Sequence, residues 1–327
     1  MLGLIGHQDA EVSESPPNSS AEDKSDSRTS TTAATPLRWG IVVLNWNAAA
    51  VTLDCADSVD IACAHTKTLD FEKIIVDNGS STSELSTLSS SLATRTDWEL
   101  LALPNNRGFA AGMNAGYQRL QSVAPCERIL FLNNDATLNA KALSALVLHL
   151  QGNETEMLTG LANRQNDSRS CFGYRYLSWL GIARSLDAPT DNIDYPSGAA
   201  LLIGSELLSR CGGLPAASFL YFEELRLVNK LRRHEKFGVC AGAWADHRDG
   251  FTASAKLSSP SRHYYAALSC FNFTRDHYPV RLPSVMFTRL LGLLLISVRK
   301  FTPTPLLDCC RAIGDFFAGR ERRPRPQ

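Results

Sequence analysis

From residue 39 onward, apolar and polar positions fall into blocks that switch between two periods. "WGIVVLNW" is a continuous apolar run of strand length, and "TLDCADSVDIACAH" after it has helical spacing. "FEKIIVDNGS" predicts a second strand and "STSELSTLSSSLATR" a second helix. "WELLALPNNRGF" reads as a short strand running into a Gly/Asn-rich loop, "AAGMNAGYQRLQSVA" as a helix, and "RILFLNND" as a fourth strand. Strands this apolar are covered on both faces. Their alternation with helices predicts an α/β fold, a mostly parallel, doubly wound sheet with right-handed crossovers and helices on both faces. Farther on, "YPSGAALLIGSELLSRCGGL" adds one more strand and helix.

The predicted strands end alike. The first stops at Asn45-Trp46-Asn47, the second at Asp77-Asn78-Gly79-Ser80, the third runs into Asn105-Asn106-Arg107-Gly108, and the fourth stops at Asn133-Asn134-Asp135. Any one of these reads equally well as a turn, because Asn and Asp cap helices and close loops. Four at one edge point instead to a shared crevice beyond the carboxyl ends, where ligands of open α/β sheets collect. Amide and carboxylate oxygens there suit a polar ligand with hydroxyls and a nucleobase, and a hard divalent cation. The chain has no G-x-G-x-x-G after the first strand and no G-x-x-x-x-G-K-[ST], so phosphate would be held by metal and loop amides.

Composition adds limits. The 327 residues are 44% apolar and carry 33 basic against 33 acidic side chains, enough to bury a full core and without bulk charge to attract nucleic acid. Nine cysteines, an odd number with no C-x-x-C pair, argue against a disulfide framework or a structural zinc site and favour a reducing compartment. The start, "MLGLIGHQDAEVSE", has neither the basic region nor the apolar run of a signal peptide, so a cytoplasmic location is expected. Residues 1–36 are rich in Ser, Thr, Asp and Glu and read as a disordered tail.

Seven segments, "VVLNWN", "IIVDNGS", "NNRGFAAGMNAG", "LFLNND", "SGAALLIGSELLSRCGGL", "FLYFEELRLVNKLRR" and "ADHRDG", follow one another over roughly residues 38–280. In order and spacing they resemble the family 2 glycosyltransferases, in particular the bacterial rhamnosyltransferase-like branch. The resemblance implies the GT-A fold, a Rossmann-like nucleotide-sugar half merged with an acceptor half. It also implies inverting transfer of a hexosyl or rhamnosyl group from a nucleoside-diphosphate-sugar donor to a glycan or lipid-linked acceptor, in cell-surface polysaccharide synthesis.

Carried over motif by motif, Asp77 resembles the nucleobase-binding carboxylate, with Asn45 and Asn47 beside it. Asn106, Gly108 and Asn114 resemble the loop and helix start that pass along the donor, and Gly198 with Ala199 the pair packed under its phosphates and sugar. Asn133 and Asp135 fill the slot of the D-x-D motif, implying Asp135 as ligand of Mn2+ or Mg2+ and Asn133 as a ribose or sugar contact. His247 resembles the second metal ligand, which suits Mn2+ somewhat better. Direct displacement also needs a base to activate the acceptor hydroxyl. The family pattern E-D-x-D reads Glu223-Glu224-Leu225-Arg226 here, so Glu224 is the expected base and Glu223 its catalytic neighbour, while Arg226 departs from the pattern. Leu268 and Ser269 stand where the family has an Arg-Asn pair. Both departures leave room for a nucleotide-sugar-binding relic without transferase activity. A sugar-phosphate nucleotidyltransferase is the other alternative, against which the loop "NWNAAA" lacks the required Gly/Arg/Lys character.

The expected organisation is a tail over 1–36, a GT-A domain over 37–259, and a helical extension over 260–327 ending in the basic "GRERRPRPQ". Tyr174, Tyr176 and Trp179 would stack on sugar rings or pack in the core. Arg232 and Arg233 would meet diphosphate or form a solvated face. The apolar run 290–298 is too short to span a bilayer and is flanked by Arg289, Arg299 and Lys300; it would lie peripherally on the membrane or dock on the catalytic domain.

Overall fold

The computed structural model describes residues 37–164, 170–247 and 261–323. The expected tail 1–36, the boundary at 259/260 and the last four residues lie outside them. Strands β1 (Arg38–Asn45), β2 (Asp70–Asp77), β3 (Trp98–Ala102) and β4 (Arg128–Asn133) pair in parallel in the order β3-β2-β1-β4. Between them run α1 (Ala49–Ala64), α2 (Thr82–Leu92) and α3 (Phe109–Val123). Alternate residues of β1 face opposite sides. Ile41 and Val43 pack with Val59 of α1 and Leu88 of α2, whereas Val42 packs with Met113 and Leu120 of α3. All of these are buried, which is why these strands read as unbroken apolar runs.

Beyond β4 the pairing is no longer all parallel. After β5 (Ala136–Leu138) and α4 (Ala142–Gln151) come β6 (Glu156–Arg164), the short β7 (Ser170–Cys171), and the hairpin β8 (Tyr174–Leu177) with β9 (Ile182–Ser185). β10 (Ala200–Gly204) then inserts antiparallel between β4 and β6 and leads into α5 (Ser205–Cys211). β11 (Lys236–His247) follows α6 (Glu223–Val228), runs parallel to β6, and pairs antiparallel with β5. The sheet is thus mixed, with helices on both sides.

Helices α7 (Arg262–His277), α8 (Leu282–Arg299) and α9 (Thr304–Phe317) build a third core around Tyr264, Tyr265, Phe271 and Phe219. They belong to the same compact unit as the sheet, Pro36–Gln327. The nine-residue apolar run expected at 290–298 is only half of α8. With the turn before it, Pro279–Arg299 forms 21 helical residues whose most apolar 18-residue stretch has mean hydropathy 1.5, long and apolar enough to cross a membrane by length and composition. Val285, Leu293 and Ser297 are nevertheless buried against the neighbouring helices.

Candidate functional site

Register brings the strand ends together. Asn45 pairs opposite Asp77, and Leu44 opposite Asn133, so the polar termini of β1, β2 and β4 lie side by side. Their side chains divide into two layers. In the lower, Asn134 Nδ2 donates to Thr52 Oγ1 (3.0 Å), Thr52 Oγ1 to Asn45 Oδ1 (2.8 Å), and Asn45 Nδ2 to Asp77 Oδ1 (2.7 Å). Asp77 also accepts from the Ser80 hydroxyl (2.5 Å) and backbone N–H (3.1 Å). Asn47, at positive φ (53°), accepts from the Ser81 N–H and donates its own N–H to Ser80. Asn45, Asn47 and Asp77 are therefore part of a buried network that ties three strand ends together, and none of the three lines the cavity above it. Asn114 is turned elsewhere too: its amide donates to Leu214 O (2.9 Å) and accepts from Leu214 N–H (2.7 Å).

The upper layer opens into a cavity of about 440 Å³. Asn106, Gly108, Asn133, Asp135, Gly198, Glu223, Glu224 and His247 all line it. Asn78 clamps the donor-side loop, donating to Asn106 Oδ1 and Gly108 O (both 3.1 Å) and accepting from Arg107 N–H (3.0 Å). Gly108 sits at φ +91°, where a Cβ would also lie 2.7 Å from Phe219 O, so only glycine fits this bend.

β5 explains the metal pair. It begins one residue after Asp135 and pairs with the end of β11, setting Ala136 opposite His247. That brings His247 Nε2 within 3.2 Å of Asp135 Oδ1 and 3.5 Å of Asn133 Nδ2, while the buried Asn133 Oδ1 has no partner. One carboxylate, one imidazole and one spare amide oxygen fit a divalent ion whose remaining ligands come from outside the protein. Among the described residues no group of three or more His, Cys, Asp or Glu side chains converges.

On another wall stand the two acids. Tyr221 and Phe222 both hold φ at 74°, an uncommon conformation for bulky residues, and this double bend starts α6 with Glu223 and Glu224 facing the cavity. Glu223 is buried, and its Oε1 has no partner. Burial, and then the charge of Glu224 beside it, raise the Glu223 carboxyl well above the ordinary carboxylate range. Burial raises Glu224 as well. Two adjacent carboxyls away from bulk water do not both ionise readily, so a charge on one favours the protonated form of the other. Gly198 is fitted to this pair. A Cβ there would lie 1.6 Å from Glu224 Oε1, so Gly198 makes room for the acid.

The two departures from the family pattern lie outside the cavity. Arg226 is buried on the far side of α6, ion-paired with Asp276 of α7 (2.9 Å) and 5.4 Å from the centre of the Phe273 ring. Ser269 donates to Leu220 O (2.6 Å) and Leu268 is buried, so these positions hold α7 against the segment before Glu223. Of the three aromatics, only Tyr174 lines the cavity, stacked on Tyr195 at 5.2 Å. Tyr176 packs edge-on to Phe222 and Phe273, and Trp179 is 56% exposed with the Arg281 guanidinium over it. Arg232, bonded to Glu206 (3.2 Å), and Arg233 are exposed surface residues. Sequence patterns gave no sign of the wall residues Tyr195 and Arg262, and Asn78 entered only with the polar end of the second strand; Arg289 also lines the wall. Arg289 had a signal: it lies four residues from both Val285 and Leu293, on the buried stripe of α8.

The profile described as Glycosyl transferase family 2 matches residues 40–212. Over 185 residues the chain is 26% identical to the low-salt glycan biosynthesis hexosyltransferase Agl10 of Haloferax volcanii, covering 54% of this chain and 58% of that protein. The mannosyltransferase PcManGT from Pyrobaculum calidifontis, in complex with GDP-Man and Mn2+, superposes with a TM-score of 0.55 at 14% identity, covering 88% of this chain and 89% of that one. TarS 1–349 of S. aureus, in complex with UDP-GlcNAc, gives 0.51 at 15%, covering 88% and 93%, although only 40% of a longer TarS chain is spanned. At these identities the likeness is one of fold, and the fold is GT-A.

Proposed function

The chain belongs to glycosyl transferase family 2, and from that premise we propose that its cavity binds a nucleoside-diphosphate sugar and transfers the sugar, with inversion, to a hydroxyl of a glycan or lipid-linked acceptor. The observation that carries this reading is the approach of Asp135 to His247 in the same cavity as Glu223 and Glu224. A metal-type pair for the leaving group and an acid pair for the nucleophile are the two halves such a displacement requires. The sugar is proposed to be hexosyl, rhamnosyl included, and the product to enter cell-surface polysaccharide.

Asp135 and His247, with Asn133 Oδ1, would hold Mn2+ or Mg2+, and the bound ion would offset the charge developing on the leaving diphosphate. Asn106 and Gly108 on their rigid loop, and Asn133, would position the donor. Glu224 would take the proton of the acceptor hydroxyl as its oxygen bonds to the anomeric carbon and the bond from that carbon to the diphosphate oxygen breaks. The burial that raises Glu224 makes it a stronger base once ionised. Glu223, protonated beside it, would hold the acceptor. Attack from the face opposite the diphosphate inverts the anomeric centre.

The unpaired state of every described cysteine is in keeping with a reducing, cytoplasmic setting. Peripheral membrane contact is part of the proposal. The outer face of α8 exposes Phe287, Leu291, Leu295 and Val298, while its inner face is packed on the catalytic unit, which favours lying on a bilayer over crossing it.

Thermal-shift measurement against UDP-, TDP- and GDP-sugars tests the function. At least one donor should stabilise the protein, by about 2.7 kcal/mol at a hundredfold excess over Kd. Mn2+ should enlarge the shift, and Asp135→Ala should abolish the enlargement. No shift with any of the donors, with or without Mn2+, would refute the reading.

A further inference from the structure

Helix α8 faces two ways. On its buried stripe, between Val285 and Leu293, stands Arg289, which reaches the cavity wall. Its Nη2 donates to Gly181 O at the β8–β9 turn (2.6 Å), and its buried Nε has no hydrogen-bond partner. Among the described residues no carboxylate lies within ion-pair distance of it. A guanidinium on an apolar helix stripe is costly to bury, and one that meets a cavity without a counter-charge is matched to an anion that arrives with a ligand. Arg262, at the start of α7, lines the same cavity. The opposite side of α8 is an exposed apolar ridge through Phe287, Leu291 and Leu295.

We propose that Arg289, with Arg262 of the same cavity, is a phosphate subsite for the acceptor, and that this acceptor is a lipid phosphate whose chain follows the apolar ridge of α8. The proposal rests on the glycosyltransferase reading and names its acceptor class. One element would thus meet the lipid with its outer face and the head group with its inner one. The planar guanidinium fork suits a phosphate, and the bond to Gly181 fixes its orientation in advance. A phosphate of the donor would satisfy the same chemistry, so the experiment separates the two sources.

Titration calorimetry of the full chain uses farnesyl phosphate, farnesol, inorganic phosphate and UDP as probes. Wild-type protein should bind farnesyl phosphate at least about tenfold more tightly than farnesol or inorganic phosphate. Arg289→Gln should erase the advantage of the phosphate over the alcohol, a loss on the order of ten- to a hundredfold, and Arg289→Lys should keep part of it. UDP affinity should stay within about twofold in both variants. Equal wild-type affinity for farnesyl phosphate and farnesol would overturn the phosphate subsite, whether or not the glutamine variant folds. Equal affinity for farnesyl phosphate and inorganic phosphate would overturn the lipid. Parallel loss of UDP and farnesyl phosphate in Arg289→Gln would assign the guanidinium to the donor and refute the proposal. Failure of wild type to bind any nucleoside-diphosphate sugar would sink the functional reading instead, and would leave the comparison of farnesyl phosphate with farnesol standing.

Discussion

Replacing Gly198 by alanine adds one methyl group and should act on a single partner. The backbone there is outside the positive-φ region, so an L residue adopts it without strain. The added Cβ would sit 1.6 Å from Glu224 Oε1, 2.6 Å from Cδ and 3.2 Å from Cγ, so the carboxylate has to leave its place. Overpacking of this kind costs about 1–3 kcal/mol, a few degrees in Tm. The effect on turnover should be larger, because a displaced base is equivalent to a missing one. General-base loss costs on the order of 10²- to 10⁴-fold, or about 2.7–5.5 kcal/mol on the barrier. The assay is a double-mutant cycle of Gly198→Ala and Glu224→Ala, read both as nucleoside diphosphate released from donor in the presence of acceptor and as Tm. The singles should lose activity to a similar degree, and the double variant should be no worse than Glu224→Ala alone, since the atoms the new methyl meets are gone. Its Tm should also recover the loss seen in Gly198→Ala. Multiplying rate losses, or a Tm penalty that persists on the Glu224→Ala background, would refute the reasoning. Gly314→Ala, with open space around its Cβ inside α9, is the control and should hold or gain up to about 1 kcal/mol.

The acid pair makes a second set of predictions. Glu224→Gln should lose transfer while Glu223→Gln retains more of it, with donor affinity unchanged in both; the reverse ranking in turnover would exchange their roles. Because Glu223 binds its proton more tightly when folded than when unfolded, it stabilises less as pH rises above the ordinary value of 4.5. Glu223→Gln should therefore raise Tm at pH 8 and lose that advantage near pH 4; an advantage that grew toward low pH would contradict the sign. Asp276→Asn should weaken the hold on the buried Arg226, costing about 1–2 kcal/mol in urea unfolding because Asp276 is partly exposed, and should leave turnover within about twofold. A large loss of activity there would return Arg226 to the reaction. Leu291→Glu with Leu295→Glu, at positions 44% and 61% exposed, should cut flotation with vesicles of anionic phospholipid without lowering Tm; undiminished flotation would remove α8 from the membrane surface.

How far the site could be read from the chain depends on the kind of signal each part leaves. β1 and β4 were legible because strands covered on both faces read as apolar runs, and the polar ends they share with β2 marked the edge where the cavity lies. Which amides face the cavity was not legible. Asn45 and Asn133 each end a strand, yet one is tied into the buried network through Thr52 and the other is left with a free buried oxygen, a difference made by tertiary neighbours. The antiparallel insertion of β10 has no local signature, since its "ALLIG" is as apolar as a parallel strand would be. Asp135 and His247 were paired by resemblance, and the three-residue β5 supplies the physical cause. Arg226 looked like damage to the site because a motif records spacing and not direction. A residue two positions beyond Glu224 on a helix points about 200° away from it, toward Asp276. Of the wall residues from the C-terminal helices, Arg262 was hidden because its segment advertises only helix, whereas Arg289 was marked by its place between Val285 and Leu293.

The central claim is that one cavity joins a metal-dependent donor half to a carboxylate-dependent acceptor half, and release of nucleoside diphosphate from the best-binding donor tests it most directly. In wild type, release should require Mn2+ or Mg2+, stop with EDTA, and rise when acceptor is added. Asp135→Ala should lose metal-dependent donor binding and turnover together, whereas Glu224→Gln should bind donor and metal as wild type does and lose turnover by at least about a hundredfold. Metal-independent release, or a Glu224→Gln variant that turns over normally while Asp135→Ala still binds donor with metal, would contradict the account.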